Sequence, residues 1–471
     1  LDPAALERFQ TVKTYNWKNQ LLESTPWGQQ VSTVLEAALQ AVDPATAVAE
    51  SMQLEGDLLT VGEKTYDLSH FRRVLLVGAG KAGAPMASAV ADILGERLDT
   101  GTVIVKQGYA GGFDASTRFK QRVKILEASH PLPDLRGVEA TQDILALAQN
   151  AGQADLVICL ISGGGSALLT APVQGVAMDE LQTLTDQLLV CGATINEINA
   201  LRKHLDRVKG GKLARIAAPA ALVTLVLSDV VGDPLDVIAS GPTVPDTTTF
   251  EDAWQVLKRY KLLENSPPGV RRALQEGRQG NLSENPQADA YFFHNTQTVI
   301  IASNQQAAQA GSEKARQKGF NTMLLTTFLQ GEARQAGQTL AAVARQIAAH
   351  NQPLGRPACV VVGGETTVVV QGDGLGGRNL ELALGAVREL EDLPQVALIS
   401  LASDGGDGPT DAAGAVVTGE TLQQASQRGL VPEDYLARND SYHFFEPLGG
   451  LLRPGPTQTN VNDLAFLFAF S

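Results

Sequence analysis

The residues best suited to chemistry in this chain sit in glycine-rich turns that follow short apolar runs. The first turn, VLLVGAGKAG, places Gly78, Gly80 and Gly83 around Lys81. Its spacing satisfies the G-x-G-x-x-G pattern of a dinucleotide turn. It equally suits an anion at a helix N-terminus, where free N–H groups and the helix dipole favour phosphate. A dinucleotide turn also needs an acidic residue at the end of the next strand to bind a ribose. Here the next run, GTVIV, leads into Lys106 and Gln107, which disfavours a nicotinamide cofactor. The second turn, in LVICLISGGGSALLTAP, sets Gly163, Gly164 and Gly165 between Ser162 and Ser166. Three consecutive glycines allow backbone N–H groups to wrap around a phosphate or a carboxylate.

The third turn, LVLSDVVGDPLDVIASGPT, carries Asp229, Asp233 and Asp236. Carboxylates there suit Mg2+, which takes a few protein oxygens together with phosphate and water, and they equally suit capping of the next helix. The fourth turn offers Glu365, Thr366 and Arg378 among glycines, and the fifth offers Asp404, Asp407 and Asp411. An arginine beside Gly376 and Gly377 fits a bidentate grip on phosphate or carboxylate; at a helix start it gains nothing from the dipole. The sixth, GPTQTNVNDL, brings Thr459, Asn460, Asn462 and Asp463, for which helix capping is the plainer role. Other patterns fail. KGGKLA resembles the end of a P-loop, but Leu213 stands where a Ser or Thr must reach Mg2+, and Asp206 where Gly is required. No G-x-S-x-G elbow occurs. The six histidines show no i, i+4 metal pairing, leaving His130 and His204 as those nearest to motifs.

The elements that must carry these turns read as alternating strands and helices. Apolar runs at 74–77, 102–105, 124–127, 156–161, 222–227, 299–302, 323–326, 359–362 and 396–401 are expected strands. Amphipathic or Ala-rich segments at 82–98, 138–149, 196–208 and 333–349 are expected helices. This is the pattern of an α/β, doubly wound fold with a parallel sheet covered on both faces. The polar stretch at 264–290 reads as a linker with few core residues, and 240–250 as a second break. The expected domains are 1–248 and 249–471.

Composition bounds the partners. The chain has 471 residues and a net charge of −14, so the basic patch that nucleic acids or acidic membranes require is not expected. Its three cysteines have no C-x-x-C spacing, which disfavours a disulfide framework or structural zinc. With no membrane-length apolar run and no basic-then-apolar leader, a soluble cytoplasmic protein is expected, either a monomer or a homodimer.

Taken together, anion cradles, a lysine, an arginine and clustered aspartates are the parts phosphoryl transfer requires, because positioning and charge neutralisation dominate its catalysis. In this order the motifs resemble the glycerate 2-kinases that carry a MOFRL-type C-terminal domain. The resemblance rests on GAGKA (78–82), HPLPD (130–134), SGGGSALL (162–169), RKHLDRVKGGKLA (202–214) and SDVVGDPLDVIASGPT (228–243). It continues through GGETTV and GLGGRNLE (363–381), ASDGGDGPTDAAGA (402–415) and TNVNDL (459–464). It implies transfer of the γ-phosphoryl of ATP, with Mg2+, to the 2-hydroxyl of D-glycerate, giving 2-phosphoglycerate and ADP. It also implies a Rossmann-like N-terminal domain, a smaller mixed α/β C-terminal domain, and a site in the cleft between them. On this sequence it points to Lys81, Asp229 and Arg378 as catalytic, with Asp229 either general base or, with Asp233, Mg2+ ligand. Gly78, Gly80 and Ser162 to Ser166 become the substrate or anion set, and Gly363, Gly364, Glu365, Asp404, Asp407 and Asn460 the nucleotide set. Gly83, Asp206 and Gln458 depart from the family's pattern, the last commonly Gly. The first 30 or so residues have no implied role. The competing expectation is an NAD(P)H-dependent reductase of hydroxypyruvate or tartronate semialdehyde.

Overall fold

The computed structural model describes residues 14–114 and 116–471; the first 13 residues of the unassigned N-terminal stretch lie outside them. The chain forms two compact units, one of residues 47–301 and the other of 14–46 with 302–471.

The first unit begins with a small antiparallel sheet, β1 (Met52–Glu55), β2 (Leu58–Val61) and β3 (Lys64–Asp67). Its main sheet comprises β4 (Arg73–Ala79), β5 (Leu98–Lys106), β6 (Val123–Ala128), β7 (Asp155–Ile161), β8 (Ala221–Leu227) and β9 (Thr296–Ala302), in the order β6-β5-β4-β7-β8-β9. The pairs from β6 across to β8 are parallel. Renumbered from its first strand, this is the 3-2-1-4-5-6 order of a doubly wound dinucleotide-type fold. β7 is buried at every position, as a strand with helices on both faces must be. The strand order reverses between β4 and β7, whose register pairs Ala79 with Ile161. The Lys81 turn and the Ser162–Ser166 turn therefore leave the sheet side by side at the switch point, where such sheets bind ligands.

The second unit has a mixed sheet. β10 (Asn321–Leu329) and β11 (Ala358–Gly364) are parallel, followed by β15 (Asp463–Ala469), β12 (Val396–Ala402), β13 (Gly414–Thr418) and β14 (Leu451–Leu452), all antiparallel. The helix Gly28–Gln40 belongs to this unit: its Val31, Val34 and Leu35 are fully buried, and Trp27 before it stacks on Phe470 at 4.9 Å. That gives the later part of the unassigned N-terminal stretch a packing role.

The expected boundary at 248/249 is displaced to 301/302. The helix Phe250–Arg259 buries Phe250, Ala253 and Leu257 against the helix Ile195–His204 of the first unit, and β9 lies beside β8. The expected linker at 264–290 contains the helix Pro268–Arg278, whose Val270 and Leu274 are fully buried. Those apolar residues recur at helical spacing, so a polar average concealed one buried stripe.

Candidate active site

In the first unit, the Lys81 turn is closed by its own hydrogen bonds. The Gly80 amide donates to the Ile104 carbonyl at 3.0 Å, Lys81 to Gly163 at 2.8 Å and Gly83 to Gly80 at 3.0 Å. The Ala82 amide donates to Ser162 Oγ at 3.1 Å, so Ser162, buried to 1% exposure, anchors the residue just before the helix Gly83–Leu94. Gly78 and Gly80 are glycines for packing: a Cβ on Gly78 would lie 2.6 Å from the Leu160 carbonyl, and one on Gly80 2.0 Å from Ser162 Oγ. The Gly80 amide is thus already bonded, and Ser162 ties this turn to its neighbour. A dinucleotide pyrophosphate would need those same amides.

The neighbouring turn is different. Among the described residues, the Gly163 and Gly164 amides have no acceptor, while Gly165 donates to Ser162 at 3.1 Å. Gly164 sits at φ +83°, and the His130 ring packs where its Cβ would be, 2.8 Å away. Burial, then Lys81 and Lys106, push His130 down to about 4. The imidazole is therefore neutral at pH 7, and the half-buried Lys81 supplies the positive charge beside the open amides. Ser166 Oγ lies 2.7 Å from Ser240 Oγ. Ser240 spends its proton on Asn199 at 3.0 Å, so Ser166 is the donor. Ala239 and Ser240 hold φ of 49° and 59°, left-handed values that cost strain in non-glycine residues.

Beyond β8, Asp229 and Asp233 are half-buried. The parallel register pairs Ile161 with Val226, so Asp229, three residues past Val226, leaves the sheet beside the Gly163 turn. Asp236 is engaged by Lys203 at 3.3 Å. Among the described residues no cluster of three or more His, Cys, Asp or Glu forms a metal cage. Two carboxylates in one turn nevertheless match what Mg2+ uses when phosphate and water fill its other positions. His204 is structural, buried between the Ala200 carbonyl, Glu284 and Phe250.

The second unit gathers its expected residues around Arg378, the first residue of the helix Arg378–Ala386. The guanidinium donates to Glu365 at 2.7 Å and to both oxygens of Asp463, one at 3.2 Å. Burial would lower its hold on the proton, but Asp463, Glu365 and Asp407 together raise it. Asp407 is 2% exposed and accepts the amides of Asn379 at 3.1 Å and Leu380 at 2.8 Å. It therefore caps Arg378's helix, and its carboxylate is engaged by these amides. Gly363 and Gly364 are also packing glycines, since Cβ atoms would meet Asn304 Oδ1 at 1.7 Å and the Leu329 carbonyl at 2.2 Å. Glu365, Asp404 and Asn460 remain half-buried polar groups. Sequence reasoning missed the Arg378–Asp463 pair and Asn304, whose amide bridges the Val461 and Asp463 carbonyls at 2.8 and 2.9 Å. The sequence signal for Asn304 was a pair of polar residues, Ser303 and Asn304, after the apolar run of β9. Gln458, where the family's pattern has Gly, sits exposed at φ 69°.

Comparison with known proteins places both units. The family model described as "Domain of unknown function (DUF4147)" matches residues 30–275, and the "MOFRL family" matches 358–463. A D-glycerate 2-kinase from Thermotoga maritima is 41% identical over 92% of this chain and 95% of its own length. The chain belongs to the glycerate 2-kinase family. A crystal structure of glycerate kinase from Thermotoga maritima superposes with a TM-score of 0.82 at 39% identity, covering 94% of this chain and 100% of that one. A member from Agrobacterium vitis, 39% identical over 83% of this chain, carries a provisional hydroxypyruvate reductase name. Among the described residues no helix is long and apolar enough to cross a membrane.

Proposed function

We propose that this protein is an ATP-dependent D-glycerate 2-kinase, forming 2-phosphoglycerate and ADP. The observation that carries the reading is the similarity to a D-glycerate 2-kinase over 92% of the chain, which runs through both units. The geometry of the first unit supports it. The open Gly163 and Gly164 amides bind an anionic oxygen of a substrate, and Lys81 beside them neutralises charge on the transferring group. Asp229 takes the proton of the attacking 2-hydroxyl, and Asp233 is the carboxylate for Mg2+. The ion, when bound, offsets charge on the ATP phosphates. In the second unit, Arg378 serves the same transfer, held on a capped helix by Glu365 and Asp463, with Asp404 and Asn460 on the nucleotide side. The reductase alternative is disfavoured by two features: β5 ends in Lys106 rather than an acid, and the amides of the first turn are already used.

The test is ADP release by the purified protein with ATP, Mg2+ and D-glycerate. Lys81→Ala and Arg378→Ala are expected to lower kcat by about 10² to 10³, the usual effect of losing one charge-stabilising donor. Asp229→Asn is expected to lower it by about 10² to 10⁴. Circular dichroism checks that each variant is folded. Full activity in Lys81→Ala contradicts the assignment.

A further inference from the structure

A cavity lies within the first unit; apart from Ser166, its lining is separate from the residues assigned to phosphoryl transfer. It has a volume of about 40 Å3, is partly open to solvent, and lies between the helices Met178–Val190 and Ile195–His204 and the segments 131–133 and 166–170. One side is apolar, from Pro131, Pro133, Leu181, Leu184, Leu188 and Leu205. The other carries Arg202, Thr185, Thr170 and the Asp206–Lys209 pair.

These charges are not equivalent. Lys209 is bonded to Asp206 at 2.6 Å, to the Leu169 carbonyl at 2.7 Å and to Thr170. Asp206 also accepts the Ala171 amide at 3.0 Å and the Val208 amide at 2.8 Å. That pair is self-neutralised and saturated. Among the described residues, Arg202 has no carboxylate partner and makes no side-chain hydrogen bond; burial lowers its hold on the proton and nothing offsets this. Arg202 is half-buried, and a guanidinium partly withdrawn from water without a partner gains from an anion that pairs with it.

We propose that this cavity is a binding site for small monocarboxylates with an apolar body, the carboxylate pairing with Arg202 and the hydrocarbon lying along the leucines. One unpaired cation matches one negative charge, and the Asp206 carboxylate in the same wall disfavours a phosphate dianion. A mostly apolar lining with a few convergent polar groups is the chemistry of a small-molecule site. The site meets the Gly163 turn at Ser166 and Ala167, and requires neither ATP nor D-glycerate to be occupied.

Titration calorimetry on the full chain with hexanoate tests this, with hexanamide as the neutral isostere and inorganic phosphate as the dianion. The expected result is saturable 1:1 hexanoate binding, weakened about tenfold or more by Arg202→Met, as loss of a charge-assisted pair requires. Hexanamide and phosphate should bind weakly or not at all. Thr185→Trp, which fills the cavity from a half-exposed position, should abolish binding with Arg202 intact. Without hexanoate, Arg202→Met should melt no lower than the unaltered chain, and hexanoate should raise only the latter's midpoint. The proposal is overturned by absence of saturable hexanoate binding, equal affinity in Arg202→Met or Thr185→Trp, or hexanamide binding as tightly as hexanoate.

Discussion

His130 and Asp407 show how burial sets charge here, and each gives a prediction whose sign follows from the shift. His130 stands at about 4 in the folded chain, whereas an unfolded histidine takes its proton near 6.5. Its contribution to stability is full above pH ~6.5 and falls as the pH is lowered towards 4, because only the unfolded chain gains the proton. The ring should titrate by NMR near 4, and His130→Asn should flatten that part of the stability profile. A ring midpoint near 6.5 contradicts the packing described for Gly164. Asp407 behaves in the opposite sense. Burial pushes it up to about 7 even though it accepts two amides, against about 3.9 in an unfolded chain. Its contribution is full below pH ~4 and is lost as the pH rises through 7. The stability of the unaltered chain minus that of Asp407→Asn, from melting curves, should decline over that interval; parallel curves would contradict it.

At the scale of elements, the switch point depends on two turns that fit only because one residue of each is stripped or buried. Gly80→Ala places a methyl against Ser162 Oγ and the Ser162 carbonyl at φ +144°. It should destabilise the first unit by roughly 2 to 4 kcal/mol in denaturant melts, from overpacking plus a strained backbone, and remove most activity; a neutral effect would mean that the turns are not interlocked. The strands at 74–77, 156–161 and 222–227 were legible because a parallel sheet covered on both faces is written as unbroken apolar runs. The glycines after them were legible as turns but not as to purpose. Sequence shows that Gly78, Gly80, Gly363 and Gly364 lack a Cβ, not that the space is filled by Leu160, Ser162, Asn304 and Leu329 rather than by a ligand. β15, an apolar run buried at every position in the middle of the mixed sheet, was not among the expected strands. Arg378 and Asp463 lie 85 residues apart, and nothing local to either indicates the pair. The Pro268–Arg278 helix was hidden by its polar face.

For the whole molecule, the acidic balance of −14 and the few partly buried cations fit together. On the proposed function, Lys81 beside open amides and Arg378 held by two carboxylates are where positive charge is kept for an anionic substrate pair. The family relationship spans both units, and the amide network of the first turn argues for phosphoryl rather than hydride transfer. The most direct test is product identification: purified protein incubated with ATP, Mg2+ and D-glycerate, with the phosphorylated product assigned by 31P NMR and a parallel sample of hydroxypyruvate followed for NAD(P)H oxidation. The account predicts 2-phosphoglycerate, stoichiometric ADP and no NAD(P)H consumption. Formation of 3-phosphoglycerate would contradict the position of transfer, and NAD(P)H oxidation without phosphoglycerate would contradict the kinase itself.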